Sequence, residues 1–145
     1  MSAPTVVEAL QAALAGEHAC VYAYGVAGSR LSGSARESAR AGLEAHRARR
    51  DALAARLGAA GAAPTPAAAA YDLPVSVTGP DSARELAGLV EDRLALVWSD
   101  VLGAAVAAPD DALAALAAAA VQEAAVRAAR WTGSTSAFPG ATSSR

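Results

Sequence analysis

The stretch GAAGAAPTPAAAAYDLPVSVTGP, residues 58–80, constrains this chain more than any other. Pro64, Pro66 and Pro74 precede the Gly79-Pro80 pair. No helix runs through them, because proline lacks an amide hydrogen and its ring clashes with the preceding turn. A structureless connection this long is uncommon inside a compact domain. It is long enough to travel the length of a helix, with Tyr71, Leu73, Val75 and Val77 available to pack along the outside of a bundle. The segment also divides the chain into two halves, each of which reads as a helical hairpin.

In the first half, Thr5 and Glu8 fit a capping box after Pro4 and start a helix that runs to about Gly28. Gly25 lies inside it and suggests a close helix crossing. Ser34 and Glu37 fit a second capping box, for a helix over about 35–57. The short link at 29–33 forces the two helices antiparallel. In the second half, Asp81 is a good N-cap for a helix over about 82–107. A turn at Pro109 and Asp110 leads to a fourth helix over about 111–131. The tail TGSTSAFPGATSSR, 132–145, reads as irregular. Hairpin, long crossover, hairpin is the connection pattern of ferritin-like bundles. The expected fold is therefore an all-α, ferritin-like four-helix bundle over 5–131, with its second and third helices parallel.

Composition agrees. A chain of 145 residues suits one domain with a real core. Alanine, the best helix former, dominates, and all the positive charge is arginine. A net charge of -2 gives no basic face for nucleic acid. The densest basic run, HRARR at 46–50, is followed at once by Asp51. One cysteine, Cys20, excludes an intrachain disulfide and reads as a small buried residue. No basic region followed by an apolar run opens the chain, so the expected location is cytoplasmic. The alanine-rich tract AALAAAAVQEAAVRAA is interrupted by Gln122, Glu123 and Arg127, and no membrane span is expected from it. Gly25, Gly28 and Gly33 form no phosphate loop, since no strand precedes them and no GK[ST] follows.

The inner faces carry an anomaly. On the first helix Glu17 falls in line with Leu10, Leu14, Val21 and Tyr24. The second helix has a stripe of Ala39, Leu43, His46, Arg50, Leu53 and Leu57, and the third a stripe of Ala87, Glu91, Leu94, Trp98 and Val101. The fourth reads Leu113, Leu116, Ala120, Glu123, Arg127, Trp131. Each helix thus sets a polar residue mid-stripe: Glu17, His46, Glu91 and Glu123, with Arg50, Arg93 and Arg127 close by. Charges are almost never buried alone. One solution is an ion-pair network of Glu17, His46, Arg50, Glu91, Glu123 and Arg127, in which Glu17 pairs first with Arg50 and lies near His46. The other is an iron or manganese site using Glu17, His46, Glu91 and Glu123. A bundle builds a di-metal site from one Glu on each of two helices and Glu-x-x-His on each of the other two. Here Leu43 stands three before His46 and Val126 three after Glu123, so the set is short of donors.

Tyr22, Tyr24, Trp98 and Trp131 read as core or edge fillers. His18 lies about 100° around the helix from Glu17 and reads as facing solvent or an interface.

EHACVYAYG, HRARRDAL, a proline-containing crossover ending in AAYDLP, and FPG near the C-terminus resemble a family of actinobacterial ferritin-like domains of unknown function, over about Val6 to Gly140. The resemblance implies a ferritin-like bundle and supplies no activity. In the wider superfamily of iron stores and di-iron oxidases, the metal residues would match Glu17, His46, Glu91 and Glu123. The expectation is a non-catalytic scaffold or interaction protein without cofactor, forming a symmetric dimer because an alanine-rich bundle gains from burying more surface. The alternatives are an iron- or manganese-dependent oxidase or iron-handling protein with a reduced site, and a small-molecule binder between the helices.

Overall fold

Thr5 starts the first helix by a reciprocal exchange: its hydroxyl accepts from the Glu8 amide, and the Glu8 carboxylate accepts from the Thr5 amide. The computed structural model describes residues 2–133 and contains four α-helices: α1 (Val6–Gly28), α2 (Gly33–Ala59), α3 (Pro80–Ala107) and α4 (Asp111–Thr132). The FPG motif at 138–140, with most of the tail, lies outside the described residues.

Two starts differ from expectation. α2 begins at Gly33, whose φ of +55° only glycine adopts without strain, with Ser32 as an N-cap whose side chain makes no cap bond. α3 begins at Pro80 rather than after Asp81. Proline's fixed φ suits the first helical position, and the Ser82 hydroxyl accepts from the Thr78 and Gly79 amides at 2.9 and 3.2 Å.

Side-chain contacts give the directions. Gln11 meets Ala63 just beyond α2, Glu17 meets His46, and Gly28 approaches Ala39, so α1 and α2 are antiparallel. Glu17 meets Trp98 while Tyr24 meets Glu91, so α1 and α3 are antiparallel too. α2 and α3 therefore run parallel, as the long crossover requires.

That crossover is stitched to α1. Gln11 donates to the Ala63 carbonyl (2.7 Å) and accepts from the Thr65 amide (2.8 Å) and hydroxyl (2.7 Å). His18, expected to face solvent or an interface, is half-buried against the crossover, with Nε2 2.9 Å from the Thr65 carbonyl oxygen. Further along, Tyr71 packs on Tyr22, with ring centroids 5.7 Å apart, and Leu73, Val75 and Val77 lie against the core.

The core is built of small residues. Alanines supply much of it, so backbones come close, and three glycines come closest. Cβ atoms added at Gly16, Gly42 and Gly88 would press on Leu94, Tyr24 and Thr132 respectively. Gly25, expected at a crossing, faces open space.

α4 is turned from its expected orientation. It buries Leu113, Ala117, Ala120, Ala124 and Ala128, with Leu116 and Trp131 packed partly buried against the core, and leaves Glu123 and Arg127 outside it. Among the described residues it is the helix long and apolar enough to cross a membrane, and 28% of its most apolar window is buried.

Candidate functional site

Glu17 on α1 is followed seven residues later by Tyr24, and Glu91 on α3 is followed seven later by Trp98. Seven residues are two helical turns, roughly 10 Å along one face. Because α1 and α3 are antiparallel, each acid meets the aromatic donor of the other helix. The Tyr24 hydroxyl donates to Glu91 Oε1 at 2.5 Å, and Trp98 Nε1 donates to Glu17 Oε1 at 2.9 Å. This exchange brings both carboxylates to the centre of the bundle.

His46 enters between them from α2. Its Nδ1 lies 2.7 Å from Glu17 Oε2 and its Nε2 2.7 Å from Glu91 Oε1. The three side chains are 1% (Glu17), 2% (His46) and 0% (Glu91) exposed. A neutral imidazole has one N–H and satisfies one of these contacts, whereas an imidazolium satisfies both. Burial works against the charge. The hydrogen bonds to Glu17 and Glu91 and the charges of both outweigh it, and the His46 pKa is raised from 6.5 to about 9. At neutral pH the centre is thus a protonated imidazole clamped between two acids.

The surroundings fix this charge state. Trp131 Nε1 donates to the Tyr24 oxygen at 3.0 Å, so the chain of hydrogen bonds continues to the end of α4. Burial, then the Glu91 charge and hydrogen bond, push the Tyr24 pKa up, so the phenol stays a donor. Burial, helped by Glu91 and Glu17, likewise raises the Cys20 thiol, whose Sγ lies 3.8 Å from the Val90 carbonyl oxygen. A buried thiol held protonated is no nucleophile. Glu91 Oε2 alone among the buried side-chain polar atoms described has no partner.

Of the residues singled out from the sequence, Glu17, His46 and Glu91 converge. Arg50, Glu123 and Arg127 stay outside. Arg50 bonds its chain neighbour Asp51 at 2.8 Å and does not pair with Glu17. An arginine at that position reaches water by bending its long stem, so it has no need of a buried counter-charge. Glu123 is 46% exposed and pairs with Arg49, with Arg127 a further 3.9 Å contact. Arg93 is exposed. Sequence reading missed the roles of Tyr24, Trp98, Trp131 and Arg49. The usable signal for the first two was an N–H or O–H aromatic seven residues after each stripe acid. Arg49 stacks over Trp98, 5.3 Å from the ring centroid, and so links Glu123 to the interior.

The residues do not fit the di-metal centre that a ferritin-like bundle implies. Such a centre takes about six side chains from four helices. Here Leu43 and the exposed Val126 replace two of them, Glu123 is on the surface, and both His46 nitrogens are committed to carboxylates. Among the described residues no group of three or more His, Cys, Asp or Glu is placed to hold a metal ion.

Fold and interior together define a ferritin-like four-helix bundle whose centre is a histidine–carboxylate clamp. The chain belongs to a family described as a domain of unknown function (DUF4439), whose model matches residues 9–143. Among solved structures it is similar to a conserved hypothetical protein, rv2844, from Mycobacterium tuberculosis: 34% identity, a TM-score of 0.81, and coverage of 86% of this chain and 92% of that one. No curated protein matches.

Proposed function

We propose that this protein is a non-catalytic helical scaffold that works by binding, and that its clamped interior does structural work. One observation carries the reading: both ring nitrogens of His46 are engaged by carboxylates. A metal-binding histidine instead keeps one nitrogen for the ion and uses the other to orient its ring. The interior also offers no exposed nucleophile and no exposed acid–base pair, since Glu17, His46, Glu91, Cys20 and Tyr24 are all buried. A second copy of the chain is the proposed partner. The open alanine surface of α4, with Val126 49% exposed, is the face it would cover.

The test of the interior is elemental analysis after anaerobic loading with Fe(II) or Mn(II), run on the parent and on Glu17→Gln beside their melting curves. The expected result is no stoichiometric metal in either protein and a lower melting temperature in the variant. Stoichiometric metal in the parent that disappears with Glu17→Gln would overturn this reading in favour of a metal-dependent oxidase or iron-handling protein. Light scattering tests the partner: a monomer mass at micromolar concentration would exclude the dimer.

A further inference from the structure

Where α1 and α4 finish and α2 and α3 begin, a cavity of about 420 Å³ opens between the helices. Small-molecule sites fall in the range of roughly 300–1,000 Å³. Among the described residues the cavity is lined by three arginines, Arg84 from α3 and Arg127 and Arg130 from α4, and by no carboxylate. In a chain of net charge -2, that surplus is local.

What sets these arginines apart is that three of them converge on one cavity; among the described residues Arg30, Arg36, Arg40 and Arg93 also have no ion-pair partner, but they are spread over the bundle. Arg47, Arg49, Arg50 and Arg56 each meet a carboxylate. Among the described residues Arg84 and Arg130 have no ion-pair or hydrogen-bond partner, and Arg127 reaches Glu123 only at 3.9 Å. Guanidinium forks match the oxygens of phosphate, and three of them suit a dianion better than a single carboxylate.

The lining also has an aromatic part. Trp131 and Tyr24 line the cavity, and the hydrogen bond between them holds both rings. Tyr24 is held again by Glu91, and its ring occupies the space left by the missing side chain of Gly42. Ser34 and Ser38, from the first turns of α2, add hydroxyl donors. That helix start carries no acid and no side-chain cap, so its amides add partial positive charge of the same sign.

We propose that this cavity binds a small organic phosphate, with the phosphate on Arg84, Arg127 and Arg130 and the organic body against the half-buried Trp131 ring. The site lies outside the His46 clamp and stands whether or not the interior takes metal. Phenyl phosphate is the probe, titrated at constant ionic strength and followed by tryptophan fluorescence and by calorimetry, with benzoate and inorganic phosphate in parallel. Phenyl phosphate is expected to bind saturably at one site per chain, with inorganic phosphate weaker and benzoate weakest. The double variant Arg84→Gln, Arg130→Gln is expected to lose roughly tenfold or more in affinity, the loss of charge-assisted hydrogen bonds. Both arginines are exposed and have no partner among the described residues, so its melting curve should match the parent's. The Lys versions of the same pair, which keep charge without the fork, should fall between. Trp131→Phe should remove the fluorescence change while calorimetry still reports binding. Benzoate binding as tightly as phenyl phosphate, no saturable phosphate binding, or unchanged affinity in a folded double variant would each overturn the assignment.

Discussion

At the residue scale, the clamp makes stability depend on the charge of His46. Its folded pKa, about 9, lies above the ordinary 6.5. The stabilisation is therefore fully present below pH 6.5 and is lost as pH rises through 9. A displacement of this size corresponds to roughly 3 kcal/mol. The other displaced groups start from ordinary values below 5 (Glu8, Asp51, Asp92) or at 9 and above (Cys20, Tyr24), so this window isolates His46. Urea denaturation at pH 6 and pH 8, below the range in which the unfolded chain's Cys20 ionises, should show the fall, and an NMR titration of the ring should place its midpoint near 9; a flat profile would count against a charged imidazole. Removing one carboxylate acts on the same balance. Glu17→Gln keeps the shape but leaves a buried imidazolium with one charged partner, and should destabilise by roughly 2–4 kcal/mol in chemical denaturation. Trp98→Phe strips the donor from Glu17 Oε1 and should cost about 1–3 kcal/mol by the same measurement.

At the element scale, glycines of identical helical appearance have opposite roles. A Cβ at Gly42 would fall on the Tyr24 ring, and that ring cannot swing aside without breaking its hydrogen bonds to Glu91 and Trp131. The overpacking, about 1–3 kcal/mol, exceeds the gain of up to roughly 1 kcal/mol from alanine's helix propensity, so Gly42→Ala should lower the melting temperature. Gly25 and Gly103 have nothing within 4 Å of such a Cβ, and the same substitution there should raise it by the propensity alone. Equal shifts at Gly42 and Gly103 would mean that Tyr24 is not locked.

At the scale of the whole molecule, the crossover sets the topology through its length. α2 has 27 residues and is roughly 40 Å long. The chain between Ala59 and Pro80 reaches up to ~66 Å when extended. Deleting the exposed 66–69 leaves ~53 Å and should preserve the parent's elution volume and melting curve. Deleting 62–73 leaves ~27 Å, too short to join two parallel helices. That variant should lose the parent's folded species in size-exclusion chromatography and circular dichroism. A helical, normally eluting product would show that the second hairpin can dock in the reverse direction.

Alanine content, two short links and a proline-laced stretch at 58–80 were enough to indicate four helices, two antiparallel pairs and a parallel second and third helix, because local propensity and chain reach decide these. Glu17, His46 and Glu91 were legible as well, since each interrupts a stripe of larger apolar residues. α4 was not legible. In AALAAAAVQEAAVRAA nearly every position is small and apolar, so periodicity does not mark a face, and Glu123 and Arg127, which looked inward, lie outside the core while alanines fill it. The partners of the clamp were also beyond the sequence. Which acid meets which aromatic depends on the antiparallel register of α1 against α3. Whether Arg50 turns inward depends on a contest between Glu17 and water that Trp98 and His46 settle by each bonding one oxygen of that carboxylate. Periodicity places a residue on a face; only the packed structure determines which donor from another helix reaches it first.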